Sequence, residues 1–341
     1  MAPRQRVTAY LYSLDAMTSL AGAMNPSHYA AGWHPTATVG AIGAALAAGK
    51  LAGLDAEQTS SALAIAANQA SGMRSVFGSM GKALNAGNAA RVGVLAAALA
   101  GRGFTGGVGV VDGMGGFRAL HAGSSAGPDD LSHPLDHSFT RAIGGLSLKR
   151  FPACGVMQAP IEAALSVAAQ RRLTVSDIAS VDCVVEPFIR RILIEARPDS
   201  GSAARFSAQH CVAVALLDAT VGLAQFTDER AAAGDVHALF ERINIVDAYS
   251  DDRSPDMRWP CALTVTCSDG RRLNAIVDQP QGRGFGELLA ERELGAKFAD
   301  CLSWGGIDPE DISRCGSLLA ELETLTELGE LMNLLAGRAR P

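Results

Sequence analysis

The chain has 341 residues, long enough to bury a sizeable core and to form two domains more readily than one, with 5% aromatics, 37 glycines and a formal net charge of −6 at pH 7. That acidity excludes nucleic acid and anionic membrane surfaces as main partners, because both call for a basic face. Mean hydropathy is slightly positive, yet no uninterrupted apolar run approaches the twenty or so residues of a membrane span; the longest candidate, Thr36 to Leu54, is broken by glycines and Lys50.

Arg4 and Arg6 precede only a mixed segment, Val7 to Leu14, which is not a signal peptide, so a cytoplasmic protein is expected. Seven cysteines are scattered without close pairs, which reads as reduced core residues and neither a zinc site nor a disulfide framework. Only Lys50, Lys82, Lys149 and Lys297 are lysines. Such sparing use suits lysines kept for chemistry, although a high-GC genome gives the same bias.

From the start to about Gly144 the patterns are helical. Asp55 and Gln58 form a capping box that predicts a helix over Ala56 to Ala70, and a second helix is expected from Gly87 to Leu99, ending at the Gly101-Arg102-Gly103 break. The glycine-rich stretch Gly106 to Gly116 lacks G-x-G-x-x-G spacing and follows a helix, so it reads as a loop and not a nucleotide-binding turn. After Gly145 the character changes. A helix from Val156 to Ala169 precedes a strand at Ser180 to Glu186, a helix at Ser207 to Leu223 and a strand at Arg242 to Ala248. Cys261 to Cys267 and Arg271 to Val277 alternate around Asp269-Gly270, the strongest hairpin signal in the chain. From Phe285 helical periodicity returns through Leu322, Leu325, Leu328, Leu331, Leu334 and Leu335.

These patterns predict a mainly α protein with an inserted α+β domain. Residues 1–144 and 282–341 are expected to build one all-helical domain from both chain ends, and residues 145–281 the smaller α+β part.

Three clusters place polar or basic groups beside Gly or Pro turns at helix starts, where unpaired N–H groups suit anions. They are Gly32-Trp33-His34-Pro35-Thr36-Ala37-Thr38, Ser79-Met80-Gly81-Lys82-Ala83-Leu84-Asn85-Ala86-Gly87-Asn88-Ala89-Ala90, and Leu148-Lys149-Arg150-Phe151-Pro152-Ala153-Cys154-Gly155. Taken singly, a His-Pro before a helix is ordinarily a turn and an isolated Lys a solvated surface group. In order and spacing, however, the clusters resemble the G-[FW]-H-P-[TP], K-x-L-x-x-G-x-A-A and K-[RP]-[FY]-P signatures of the MmgE/PrpD family, which includes 2-methylcitrate dehydratase, cis-aconitate decarboxylase and iminodisuccinate epimerase. Further stretches at Lys50 to Thr59, Arg102 to Gly106, Ala204 to Ser207 and Gly222 to Asp228 extend the resemblance over nearly the whole chain from about Ser19.

The resemblance implies a helical domain with an α+β lid, a cleft active site, a homodimer, a small polycarboxylate substrate, and no metal or organic cofactor. It implies a lyase, a dehydratase or decarboxylase, with epimerisation as an alternative. His34, Lys82 and Lys149 match basic active-site positions. Physically, lysines offset substrate carboxylates and stabilise an enolate-like anion, while His34, titrating near neutrality, is the natural proton carrier. Arg150 could grip a carboxylate with its fork or face outward, and Asn85 and Thr36 complete the candidate substrate contacts. His133 and His137 flank Pro134 and Asp136 without a further ligand cluster, which favours an exposed loop over a metal site. His210, in an apolar helix, reads as a hydrogen-bonded core residue.

The resemblance also breaks. Relatives carry a longer helical segment before the His-Pro motif, where here Met1 to Trp33 precede it, and Asn85 and Gln158 stand where histidines are common. Neither amide transfers a proton at neutral pH. An impaired family remnant, or a subunit completed by a partner chain, is therefore the competing expectation.

Overall fold

A computed structural model describes residues 3–122, 145–193, 196–247, 259–284 and 288–336. The chain divides into two compact units, one from Met1–Gly144 with Cys315–Met332 and the other from Gly145–Arg314 with Asn333–Pro341.

The described part of the first unit is helical: α1 (Pro3–Met24), α2 (Ser27–Ala30), α3 (Pro35–Ala52), α4 (Ala56–Gln69), α5 (Gly81–Ala100) and α6 (Phe117–Ala122). The capping box expected at Asp55 is present, with Asp55 Oδ1 accepting from Gln58 N at 2.8 Å and Gln58 Oε1 from Asp55 N at 3.1 Å. Pro35 opens α3 at a position that needs no N–H, and Gly53 closes it in a left-handed conformation, φ 71°. Both chain ends contribute, because Arg6 donates to the Leu325 and Thr326 carbonyls, each at 2.9 Å.

Alanines set the spacing of this unit. Ala41, Ala45, Ala62, Ala66, Ala89, Ala96 and Ala100 line one core with Ile65 and Val92, so helix axes approach closely. A side chain on Gly40 would rest 3.6 Å from Ala89, and one on Gly93 would meet Ala44 and Ala45. Both contacts share one offset along the chain, so α3 and α5 run parallel, with α4 returning between their ends. Helix α5 is long and apolar enough to cross a membrane by length and composition alone. Its Ala89, Val92, Gly93 and Ala96 are nevertheless buried.

The second unit holds a four-stranded sheet in the order β2-β1-β3-β4, made of β1 (Ile178–Val185), β2 (Ile243–Asp247), β3 (Cys261–Cys267) and β4 (Arg272–Val277), with β1 and β2 parallel and the other pairs antiparallel. All four expected strands are present, and Gly270 turns the β3–β4 hairpin at φ 83°. Strand β1 carries an irregularity between Ile178 and Ser180. The extra residue resets the alternation, so that Ile178 and Val181 both face inward with Cys183 and Val185. Two helices, α7 (Gln158–Gln170) and α10 (Ala208–Asp218), pack on one another and on the sheet. Between β1 and α10 lie α8 (Pro187–Ile192) and α9 (Gly201–Ala204), and before β2 come α11 (Asp228–Ala231) and α12 (Gly234–Phe240).

Helix α13 (Glu291–Trp304) belongs to the second unit, where Asp300 accepts from Leu223 N at 3.3 Å and Glu293 pairs with Arg150 at 2.6 Å. Helical periodicity alone says nothing about which unit a helix joins. Helices α14 (Pro309–Ala320) and α15 (Gly329–Ala336) each straddle the division.

Two glycines of α5 give a paired test. A methyl at Gly93 would lie 2.5 Å from the Ala44 carbonyl carbon and the Ala45 nitrogen, whereas one at Gly87 meets nothing within 4 Å. Gly93→Ala is expected to destabilise by about 1–3 kcal/mol through overpacking, and Gly87→Ala to stabilise by about 0.5–1 kcal/mol through helix propensity. Urea midpoints at unchanged slope measure both, and equal effects at the two positions would contradict the close parallel contact.

Candidate active site

The start of α3 is built around His34. Its backbone is extended (φ −97°, ψ 104°), its N–H donates to the Gly72 carbonyl at 3.0 Å, and its own carbonyl accepts from Ala37 N at 2.8 Å. Trp33 bridges Met73, so residues 72–73 lie along the motif. Gly72 has φ +146°, and a side chain there would strike Ala37 and approach Asn85 Oδ1 at 3.2 Å. Only glycine lets this strand lie so close. Arg74 secures the crossing, donating to Tyr29 O at 2.6 Å while its guanidinium sits 3.7 Å from the Tyr29 ring centroid.

This clasp brings residues from two motifs together. His34 is buried at 7% exposure. Its Nδ1 lies 3.1 Å from Asn85 Nδ2, which is 3.4 Å from the Met73 carbonyl. The imidazole meets Phe77 edge-on, with centroids 5.0 Å apart and planes at 82°, and Lys82 Nζ stands 5.2 Å from the same Phe77 centroid. Lys82 and Asn85 lie one turn apart on α5 and so share a face. Thr36 is exposed at the second residue of α3.

Sequence reasoning overlooked Phe77, although it is the only aromatic in residues 35–103, a signal that could have marked it. It also overlooked a histidine cluster behind the motif. His28 is fully buried, with Nδ1 3.0 Å from the His121 carbonyl and Nε2 2.9 Å from Thr38 Oγ1. The carbonyl can only accept, so neutral His28 carries its proton on Nδ1 and takes the Thr38 hydroxyl hydrogen on Nε2. His121 Nδ1 faces Phe117 O at 3.0 Å, and its ring lies 4.6 Å from Trp33 and 4.2 Å from Phe117. Spacing in sequence could not reveal contacts between residues 28, 38 and 121.

In the second unit, Lys149 is exposed, its Cε 3.8 Å from where a Gly155 side chain would begin; Trp259 borders the same position at 3.3 Å. Arg150 is engaged within the unit. It pairs with Glu293 at 2.6 Å, donates to Gln281 Oε1 at 3.0 Å and lies 4.0 Å from Glu162. Gln158, 5% exposed, clamps the motif loop, with Oε1 accepting from Phe151 N at 2.9 Å and Nε2 donating to Phe151 O at 3.2 Å. His210 is buried as expected, with Nε2 2.8 Å from Gln225 O, though Nδ1 has no partner among the described residues. Among the described residues no group of three or more His, Cys, Asp or Glu side chains could hold a metal ion, and His133 and His137 lie outside those residues.

Residues 2–127 match the pattern of the MmgE/PrpD N-terminal domain, and residues 151–312 that of the MmgE/PrpD C-terminal domain. The chain belongs to the MmgE/PrpD family. Cis-aconitate decarboxylase of Homo sapiens is 29% identical over 91% of this chain and 64% of the relative's length. The Mus musculus enzyme of that name is 27% identical over 89% and 62%, and the Aspergillus terreus enzyme 27% identical over 89% and 64%. This MmgE/PrpD chain thus spans less than two thirds of the length of these relatives.

Burial lowers the pKa of His28, His121 and His210 below the usual imidazole value of 6.5. They stay neutral in the fold while the unfolded chain takes up protons near pH 6.5. Their contribution to stability is therefore complete above that value and is lost as pH falls through it toward the lowered folded values. The urea midpoint is expected to drop between pH 7 and pH 5, and His28→Gln to flatten that slope. An unchanged midpoint over this range would show that the three rings take up protons as readily in the native state as in the unfolded chain.

Proposed function

We propose that this chain is a cofactor-independent MmgE/PrpD-type lyase acting on a small di- or tricarboxylate. The observation carrying this reading is that His34 and Lys82, from separate motifs, converge on one Phe77 ring. The starts of α3 and α5 adjoin there, and helix starts favour anions. Lys82 offsets one substrate carboxylate, and Lys149 is proposed as a further cation from its match to the K-[RP]-[FY]-P motif of the family. When carbon dioxide leaves, the electron pair of the broken C–C bond stays on carbon and spreads into a neighbouring carboxylate as an enolate-like anion. In dehydration the same anion forms by loss of a proton before hydroxide departs. Ammonium groups beside that charge lower either barrier, and the His34 imidazole stands beside the reacting carbon. Thr36 offers a hydroxyl to a carboxylate, whereas the charge of Arg150 is already met by Glu293 and Glu162.

The names of the relatives give cis-aconitate as their substrate, which makes it the first compound to test. A second reading, favoured by the 64% span of the human relative, is a chain that binds polycarboxylates but turns them over only beside additional polypeptide. The two separate when purified protein is incubated with cis-aconitate and 2-methylcitrate in deuterated water and followed by NMR. Product formation supports the lyase, and saturable binding without product or deuterium incorporation supports the second reading.

Within the lyase reading, Lys82→Ala and Lys149→Ala are each expected to lower kcat/KM by about a hundredfold or more, with circular dichroism and thermal midpoint unchanged. Turnover that survives Lys149→Ala at the wild-type rate removes that lysine from the mechanism.

A further inference from the structure

We infer that Asn85 is a positioning residue that fixes neutral His34 in the tautomer bearing its proton on Nε2, so that the ring acts toward bound polycarboxylate as a neutral hydrogen-bond donor. This deepens the proposed lyase site and rests on that reading for its consequence for turnover, though not for the tautomer itself.

The argument begins with the two ends of the Asn85 amide, since Nδ2 only donates and Oδ1 only accepts. Nδ2 faces two atoms, His34 Nδ1 at 3.1 Å and the Met73 carbonyl oxygen at 3.4 Å. Turning the amide over would set Oδ1 against that carbonyl, acceptor against acceptor. The carbonyl cannot readily move aside, because Met73 is bridged to Trp33 and the preceding Gly72 carbonyl takes the His34 N–H at 3.0 Å. The amide orientation therefore follows from the chemistry of its neighbours. With an N–H aimed at it, His34 Nδ1 must present its lone pair, and the single proton of the neutral ring sits on Nε2.

The role of His34 changes accordingly. A general base acting through Nε2 needs a lone pair there, and this tautomer has none. It offers instead an N–H to an oxygen on which charge accumulates, and the ring keeps its proton throughout. The proton exchanged with substrate carbon is then carried by a different group. This revises the sequence-based expectation that His34 is the proton carrier.

The test is a nitrogen-15 NMR spectrum of the full chain labelled at histidine, recorded at a pH where His34 is neutral, with His34→Gln identifying the His34 signals. The wild type is expected to show Nδ1 at the position of an unprotonated acceptor nitrogen and Nε2 at that of an N–H. Asn85→Asp, whose carboxylate accepts from Nδ1, is expected to interchange the two and to lower turnover about a hundredfold, the typical cost of losing an oxyanion donor. A wild-type spectrum with the proton on Nδ1, or an aspartate variant with an unaltered tautomer, overturns the inference. The wild-type measurement needs no variant to fold and no turnover. The expected tautomer in a chain that turns nothing over would therefore count against the lyase reading alone, and turnover with the proton on Nδ1 would count against this inference alone.

Discussion

The candidate site depends on the close parallel contact between α3 and α5. Parallel neighbours bring like ends together, so the residues that begin each helix, His34 on one and Lys82 and Asn85 on the other, meet without any long loop reaching across. The contact is short because Gly40, Ala44, Ala89 and Gly93 leave no side chains to hold the axes apart. Parallel alignment also sums two partial positive charges at one end, an arrangement that costs free energy unless an anion or solvent answers it. An anionic substrate is one way to answer it.

The polar amides that replace histidines at two motif positions have clear structural work. Gln158 satisfies both backbone groups of Phe151, which would otherwise be buried unpaired at a cost of about 1–3 kcal/mol each. It closes the loop between Phe151 and α7 much as a backbone turn would. Asn85 joins the Met73 carbonyl to the imidazole of His34. Neither position is vacant polar surface that has merely lost a proton carrier. An amide offers a donor and an acceptor in one fixed plane, and both sites use it to hold neighbouring groups in register.

Much of the architecture could be read from the sequence where the cause is local. The Asp55 capping box, the Asp269-Gly270 turn and the alternation of β3 each depend on residues only a few positions apart. The phase of β1 could not be read in this way, because an extra residue near Ile178 shifts which side chains face inward. The assignment of α13 to the second unit depends on Asp300 and Glu293 meeting partners far away in sequence. The site shows the same divide. His34, Lys82 and Asn85 stood out through motif spacing, whereas Phe77, which joins His34 and Lys82, carried no motif. The His28, Thr38 and His121 cluster was invisible because its members meet only after α3 and α6 have come together with α2.

Phe77 explains how a half-exposed lysine and a buried histidine can share one environment. Its ring attracts the Lys82 ammonium by an amount on the order of 0.5–1 kcal/mol at such a site, enough to bias the side chain toward the ring. A carboxylate in place of Phe77 would bind Lys82 more tightly and also cancel its charge, leaving little attraction for an incoming anion. The aromatic ring holds the ammonium without neutralising it. It also displaces water from beside His34, which strengthens any electrostatic interaction made there. An apolar residue set between two polar ones thus orders the cation without itself adding a counter-charge.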